Sequence, residues 1–274
     1  MYNLLVVFIV FFIFGLVVGS FLNVVIFRLG TGERIGNSRS RCFSCGKILT
    51  WRELIPVVSF LIQKGKCRNC GSRISWQYPV VEFVTGVVFF LTGLSIWHVE
   101  LGIRNYELWN LISILFLFIA WSLLIAISVY DIRHKIIPNQ LVYPFILFSF
   151  FFPILHSASW RIDFIIQDVI SHIFAGITAF AFFASLWFFS RGRWMGFGDA
   201  KLALGIGFLL GPWLTTLAVL LSFWIGTFMA VPLVLFWGKG LKTQIPFGPF
   251  LAAGAFISWY AGEALLAAYQ PFLF

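Results

Sequence analysis

Long apolar runs dominate this chain and restrict what it can fold into. An α-helix needs about 20 predominantly apolar residues to cross about 30 Å of hydrocarbon. With 61% hydrophobic and 11% charged residues, the sequence is far from the composition of a soluble domain. We therefore predict an all-α, polytopic membrane protein. About eight transmembrane helices are expected, at 4–27, 78–97, 108–130, 139–155, 165–189, 200–212, 214–237 and 248–270.

The first apolar segment is predicted to be a retained helix. Met1, Tyr2 and Asn3 supply no basic region before it, and the apolar run is longer than the hydrophobic region of a signal peptide. Residues 1–27 are then the first transmembrane helix.

The net charge of +9 raises the question of a nucleic-acid partner. The positions of the basic residues argue against one. All Lys and Arg except Arg104 and Arg161 fall in segment 28–77 or on alternate later loops, at 133, 135, 191, 193, 201, 239 and 242. By the positive-inside rule these residues face the cytoplasm and the N-terminus lies outside. Attraction to anionic membrane lipid is a secondary effect of the same charges.

Segment 28–77 is the one polar stretch of any size, and it contains all four cysteines. They read C-F-S-C-G at 42–46 and C-R-N-C-G at 67–71. Each motif brings two thiolates together while its glycine permits a tight turn, so Cys42, Cys45, Cys67 and Cys70 are predicted to form a structural Cys₄ site for Zn²⁺. Disulfides are the competing interpretation, but they are rare in the cytoplasm. The predicted organisation is a first helix (1–27), a cytoplasmic zinc-binding module (28–77) and a helical bundle (78–274).

Only ten Asp and Glu residues occur in the chain. Asp131 and Asp199 are expected at equal depth near the inner boundary, and Glu82 is expected near the same side. Ionisable groups at such depths usually face a bundle interior or a wet cavity. Two carboxylates a few Å apart do not readily both ionise, so the pair can act as base and acid toward one water, as peptide hydrolysis requires. Gly196 and Gly198, lacking a Cβ, would let a substrate or the opposite helix approach Asp199.

Two other interpretations of these aspartates remain open at this point. Asp199 can simply cap a helix while Asp131 pairs with Arg133 or Lys135. Alternatively, both aspartates can relay protons in a membrane transporter. Lys201 is expected in part to help set the orientation of its helix, by staying at the inner membrane face.

The motifs resemble those of the bacterial type IV prepilin peptidases, the GxGD-type membrane aspartyl proteases. The likeness begins with Asp131-x5-Ile137-Pro138 and Gly196-x-Gly198-Asp199-x-Lys201-Leu202. Further stretches match in order: GSFLNVVIFRL (19–29), LIPVVSFL (54–61), GKCRNCG (65–71), YPVVE (78–82) and IPFGPFL (245–251). The resemblance covers essentially the full chain.

The resemblance implies a multi-pass enzyme of the bacterial inner membrane. Such enzymes cut the short basic leader of type IV prepilins or type II secretion pseudopilins at the cytoplasmic face, after a glycine and usually before a phenylalanine. Carried over, Asp131 and Asp199 are the catalytic pair, and Gly196, Gly198 and Lys201 line the approach of the substrate.

Members with the Cys-rich loop commonly also N-methylate the new α-amine with S-adenosylmethionine. No Rossmann-type glycine fingerprint for that cofactor is visible, so methylation rests on the resemblance, and a peptidase without it is the alternative. Asn23 and Glu82 are the candidates for binding the methylsulfonium or the amine. Interhelical hydrogen bonding and pairing with a loop arginine are their competing roles. Phe43 stands where many members have proline, which removes no metal ligand.

Overall fold

A computed structural model describes residues 2–31, 36, 39–100, 107–156, 162–235 and 245–269. Every regular element within them is helical, apart from two isolated bridges between single residues. The all-α prediction is confirmed. The α-helices are α1 (Tyr2–Arg28), α2 (Val58–Ile62), α3 (Gln77–Glu100), α4 (Glu107–His134), α5 (Asn139–His156), α6 (Ile162–Ser190), α7 (Phe197–Leu235) and α8 (Gly248–Tyr269), with a 3-10 turn at Trp51–Glu53. Of the residues used to predict orientation, Arg34, Arg104, Arg161, Lys239 and Lys242 lie outside the described ranges.

Five of the described helices are long and apolar enough to cross a membrane: α1, α3, α4, α6 and α7. The apolar part of α5 is shorter, at Asn139–Leu155. The predicted segment at 200–212 and the described part of the segment at 214–237 both fall within α7, which runs for 39 residues. A straight helix of that length would extend about 58 Å, nearly twice the hydrocarbon thickness.

The backbone of α7 breaks at Gly211. This residue has φ 72° and ψ −178°, a conformation that favours glycine, and Pro212 follows it. Because proline has no N–H, the carbonyl of Phe208 loses its helical partner. The ring of His172 on α6 replaces that partner, since its Nδ1 lies 2.8 Å from the Phe208 oxygen. The break therefore lies where the sequence predicts two helices.

The contacts divide the chain into two units, Met1–Gly102 and Ile103–Phe274. In the first unit, α1 packs along α3 through closely approaching backbones. A Cβ built on Gly15 would lie 2.7 Å from Cα of Gly86, and one on Gly19 would lie 2.7 Å from Cα of Glu82. Small residues allow this approach between apolar helices. The C-terminal part of α1 is thereby held against the first turns of α3.

Between α1 and α3, the two cysteine motifs form turns with the same hydrogen bonds. In each, the glycine N–H donates to the carbonyl of the first cysteine at 2.9 Å, and the N–H of that cysteine donates to a carbonyl five residues later. Gly46 and Gly71 have φ of 70° and 72°, which explains why both motifs end in glycine.

In the second unit, α7 packs against α5, α6 and α8, while α4 packs against α5 and α8. Helices α6 and α7 lie close together at Gly176 and Gly207, because a Cβ built on Gly207 would lie 2.4 Å from Cα of Gly176. The core between the helices is apolar and includes the buried side chains of Trp121, Ile127, Phe145, Phe183, Leu202 and Leu251. This packing fixes the ends of α4 and α7, where the two aspartates lie.

Candidate active site

Asp131 and Asp199 lie at helix ends in the second unit. Asp131 is in the last turn of α4, and Asp199 is in the first turn of α7. Their side chains are buried, with exposed fractions of 4% and 7%. The two aspartates are separated by 68 positions along the chain, yet both line one cavity. The structure thus places the two aspartates at the same cavity, and their role as a catalytic pair stays a prediction.

Both aspartates line one cavity of about 960 Å³, named here the aspartate cavity. Three connections between helices form its walls: 135–137 before α5, 192–196 before α7 and 245–247 before α8. Lys135 and Arg193 contribute cationic side chains to the lining. The cavity is large enough for an extended peptide segment beside the two carboxylates.

Asp131 is held by the start of α8. The backbone N–H of Gly248 donates to Oδ2 of Asp131 at 3.2 Å. A Cβ built on Gly248 would lie 2.8 Å from the same oxygen, so glycine permits the contact. Sequence reasoning missed Gly248 as a site residue. The one sequence feature that could have identified Gly248 is that it lies in the IPFGPFL stretch at 245–251, which resembles the family.

Asp199 is held by the residue before its own helix. Its Oδ2 accepts from the backbone N–H of Gly196 at 3.2 Å, which is one half of a capping box. The capping interpretation of Asp199 therefore describes a real contact. The hydrogen bond from Gly196 leaves other acceptor positions of the Asp199 carboxylate available. Asp199 also lines the aspartate cavity, so capping a helix and facing the cavity are compatible.

The other predicted residues of this region have distinct surroundings. A Cβ on Gly198 would lie 2.8 Å from Cβ of Ile137, so Gly198 allows the α4–α5 connection to approach α7. Gly196 has more room, because its nearest neighbour would be Asp199 Oδ2 at 3.6 Å. Lys201 does not line the cavity. Its Nζ donates to Asn139 Oδ1 at 2.9 Å and to the Tyr143 hydroxyl at 3.2 Å, which ties α7 to α5.

The four cysteines of the first unit form one cluster. Their Sγ atoms all lie within 4.8 Å of one another, and all four are free thiols, so the cluster can hold a metal ion. Asn69 Nδ2 donates to Cys45 Sγ at 3.6 Å, and the Ser72 hydroxyl lies 3.1 Å from Cys70 Sγ. The backbone N–H of Cys45 is the main cause that lowers the pKa of Cys42 to about 6. A lowered pKa favours the thiolate form that binds metals.

Asn23 and Glu82 lie on facing helices of the first unit but have different partners. Asn23 is fully buried and satisfied: its Nδ2 donates to the carbonyls of Gly19 and Tyr78, and its Oδ1 accepts from Gln77 Nε2. These contacts match the interhelical role. Glu82 Oε2 accepts from the backbone N–H of Val57 at 2.7 Å, and Ser20 also hydrogen-bonds to the carboxylate. Glu82, but not Asn23, lines a cavity in this unit.

Comparison with known families matches both units. Residues 13–96 match the bacterial peptidase A24 N-terminal domain, and residues 116–231 match the type IV leader peptidase family. A prepilin leader peptidase/N-methyltransferase of Bacillus subtilis is 35% identical over 258 residues, which cover 94% of this chain and 96% of the relative. The chain belongs to the type IV leader peptidase family.

Other relatives of the leader peptidase family carry the same name. That of Stutzerimonas stutzeri is 30% identical over 292 residues, covering 95% of this chain and 92% of the relative. That of Pseudomonas aeruginosa is 29% identical over 284 residues, covering 94% and 91%. No solved structure matches the chain. With its apolar helices, this leader peptidase family member is a multi-pass membrane protein.

Proposed function

We propose that this protein is a membrane-embedded aspartyl peptidase that removes the leader of prepilins and pseudopilins. The observation that supports this most directly is that Asp131 and Asp199 line the same cavity from different helices. The names of the relatives, prepilin leader peptidase/N-methyltransferase, supply the substrate.

The two carboxylates would divide the acid and base roles. Two buried neighbouring carboxylates share one proton between them. The ionised group takes a proton from water, whose oxygen bonds to the scissile carbonyl carbon, while the protonated group donates to the carbonyl oxygen. When the tetrahedral intermediate collapses, the C–N bond breaks and the carboxyl that took the proton from water donates it to the leaving nitrogen. The other carboxylate takes a proton back from a hydroxyl of the intermediate as the carbonyl re-forms. Gly196 and Gly198 would give the substrate backbone access to Asp199, and Lys201 would brace that side of the approach.

We assign the cleavage to the cytoplasmic face of a bacterial inner membrane, with the N-terminus outside. The support is the distribution of Lys and Arg along the sequence, together with Lys135 and Arg193 in the lining of the aspartate cavity. Membrane lipid surrounds the spans.

The test is prepilin cleavage by the purified full chain and by Asp131→Asn and Asp199→Asn. Each substitution should abolish cleavage, because Asn can act as neither acid nor base. Asp163→Asn is the matched control: Asp163 is exposed on α6 and should be replaceable without effect. Cleavage retained in either active-site variant would overturn the assignment and would leave a proton relay in a transporter as the competing role.

We further propose that the enzyme N-methylates the newly exposed α-amine with S-adenosylmethionine. The support is the name of the relatives and the match of residues 13–96 to the N-terminal domain found in bacterial members. S-adenosylmethionine supplies an electrophilic methyl group; the amine must reach it deprotonated. Mass analysis of processed pilin tests this: the mature chain should carry one added methyl group, and its absence would leave a peptidase alone.

We also propose that the cysteine cluster binds structural Zn²⁺. Tetrahedral zinc with bonds of about 2.3 Å to sulfur separates its ligand atoms by about 3.8 Å. Cys42 Sγ and Cys70 Sγ are already 3.9 Å apart. The four thiols therefore fit the ion with small movements. A module with few apolar side chains to bury would gain much of its folding free energy from such a metal.

A further inference from the structure

The first unit contains a cavity of about 200 Å³, named here the unit 1 cavity. Its walls come from the end of α1, the beginning of α3, the first cysteine motif and α2. We propose that the unit 1 cavity binds the amino-acid end and the sulfonium centre of S-adenosylmethionine. The inference rests on the proposed N-methylation and gives that activity a site.

The charges of the cavity complement an amino acid. Arg28 and Arg41 line it together with Glu82. Guanidinium groups pair with carboxylates in a bidentate geometry. The carboxylate of Glu82 suits the ammonium of the same ligand, because Val57 and Ser20 use only part of its acceptor capacity. A zwitterion thus meets both signs of charge in one small space.

Aromatic rings border the same cavity. Phe27 stacks on Tyr78 with centroids 5.0 Å apart and an interplanar angle of 16°, and the ring centroid of Phe43 lies 5.6 Å from that of Phe27 at an angle of 43°. All three residues line the cavity. Aromatic faces attract soft organic cations such as methylated ammonium, and a sulfonium belongs to the same class of ligand.

One side chain at the cavity has an unused hydrogen-bond donor. Gln63 lines the cavity, and its buried Nε2 donates to no acceptor among the described residues. Buried polar groups without a partner are rare and call for an explanation. An oxygen or nitrogen of a bound ligand would supply the missing acceptor.

The segment that carries Gln63 is held in a strained conformation. Val57, just before α2, has φ 58° and ψ −50°, and the N–H of Val58 donates to the carbonyl of Pro56. This is a γ-turn with positive φ at a β-branched residue, a rare and costly arrangement that tends to occur at functional sites. Glu82 fixes it by accepting from the Val57 N–H. Glu82 therefore connects the ligand cavity to the position of α2.

The size of the cavity limits how much of the ligand it holds. Sites that enclose a drug-sized molecule usually measure about 300–1,000 Å³. At about 200 Å³ the unit 1 cavity accommodates one end of an elongated ligand, and the adenosine end then extends beyond it.

The test is calorimetric titration of S-adenosylmethionine into the full chain in detergent, together with assays of prepilin cleavage and methylation. Gln63→Leu keeps the approximate volume and removes the unpaired donor. We expect its Kd for S-adenosylmethionine to rise about tenfold, with cleavage unchanged and thermal stability equal or higher. Glu82→Gln keeps an acceptor for Val57 and removes the charge, and it should weaken binding by at least as much. Gln167→Leu, at an exposed position on α6, is the control and should bind normally.

The two ways of failing are distinguishable. If the unchanged protein binds no S-adenosylmethionine and leaves processed pilin unmethylated, the proposed methylation is wrong and the inference falls with it. If the unchanged protein binds and methylates, but Gln63→Leu and Glu82→Gln both bind equally well, the methylation stands and the unit 1 cavity is not its site.

Discussion

The backbone N–H of Gly248 lies 3.2 Å from Oδ2 of Asp131, although 117 positions separate the two residues along the chain. A corresponding contact joins Gly196 to Asp199, also at 3.2 Å. Each buried aspartate thus accepts from a glycine amide, and a rigid backbone donor restricts the orientation of the carboxylate. The start of α8 is therefore part of the site, although it contributes no carboxylate.

Gly248→Ala should reduce cleavage strongly. The new Cβ would lie 2.8 Å from Oδ2 of Asp131, so the carboxylate or the start of α8 must move. Misplacing a catalytic group by about 1 Å can cost about 100-fold in rate. We expect the single-turnover rate constant for prepilin cleavage to fall by about that factor. Gly36→Ala is the control, because a Cβ there would have no neighbour within 4 Å among the residues that the structure describes. Cleavage by Gly248→Ala at the normal rate would show that the Gly248 contact is dispensable.

Gly196→Ala tests whether the absence of a side chain at position 196 matters for substrate binding rather than for folding. A Cβ at this position makes only ordinary contact, 3.6 Å from Asp199 Oδ2, so the free enzyme should fold and melt as before. If the substrate backbone passes here, kcat/KM should fall about tenfold, and Gly196→Val should lower it further. The measurement is steady-state cleavage with melting curves for both variants. Unchanged kcat/KM in both would contradict a role for Gly196 in substrate approach.

Removal of one cysteine should release the metal while sparing cleavage. Cys67 is buried and supplies one of the four thiols. In Cys67→Ser we expect the zinc content to fall from about one per chain to near zero. Methylation should be lost with it, whereas cleavage should persist because both aspartates belong to the second unit. Elemental analysis measures the metal, and Ser44→Ala, which lies in the other cysteine motif and removes no thiol, is the control. Full zinc content in Cys67→Ser would rule out the four-thiol site.

Glu53 should make the first unit sensitive to acid. Hydrogen bonds, chiefly from the Thr50 N–H and then from Lys47, lower the pKa of Glu53 to about 2. The ordinary value in an unfolded chain is about 4.3. The ionised group therefore stabilises the fold fully above about pH 4.3, and this contribution is lost as the pH falls toward 2.

Glu53→Gln tests this dependence. It should lower the free energy of unfolding by about 1–2 kcal/mol at pH 7, because Glu53 is buried and accepts hydrogen bonds from Thr50 and Lys47. The difference from the unchanged protein should shrink as the pH falls from about 5 to about 2. Unfolding measured over that range, with exposed Asp163→Asn as the control, checks it. A difference that stays constant with pH would contradict the assigned ionisation.

The sequence predicts the helices well, because apolar length and turn chemistry are local properties. The break in α7 follows from Gly211 and Pro212, and the paired thiols follow from two repeated motifs. The Gly248 contact could not be predicted in this way, since neither periodicity nor spacing reports which distant amide meets Asp131. The same limit applies to Gln63, whose unpaired amide becomes visible only when the walls around it are known. Asn23 differs, because the structure shows the hydrogen bonds of its amide to Gly19, Gln77 and Tyr78, while its part in binding the methyl donor stays a prediction.

The break at Gly211 has a consequence for how the enzyme tolerates different bilayers. Hydrophobic mismatch is usually relieved by tilting a helix, and a tilt transmitted along one rigid rod would also displace a residue at its far end. The arm of α7 that carries Asp199 ends at Gly211, and Nδ1 of His172 lies 2.8 Å from the Phe208 carbonyl oxygen near that end. The arm beyond Pro212 can therefore tilt with membrane thickness while the carboxylate keeps its depth.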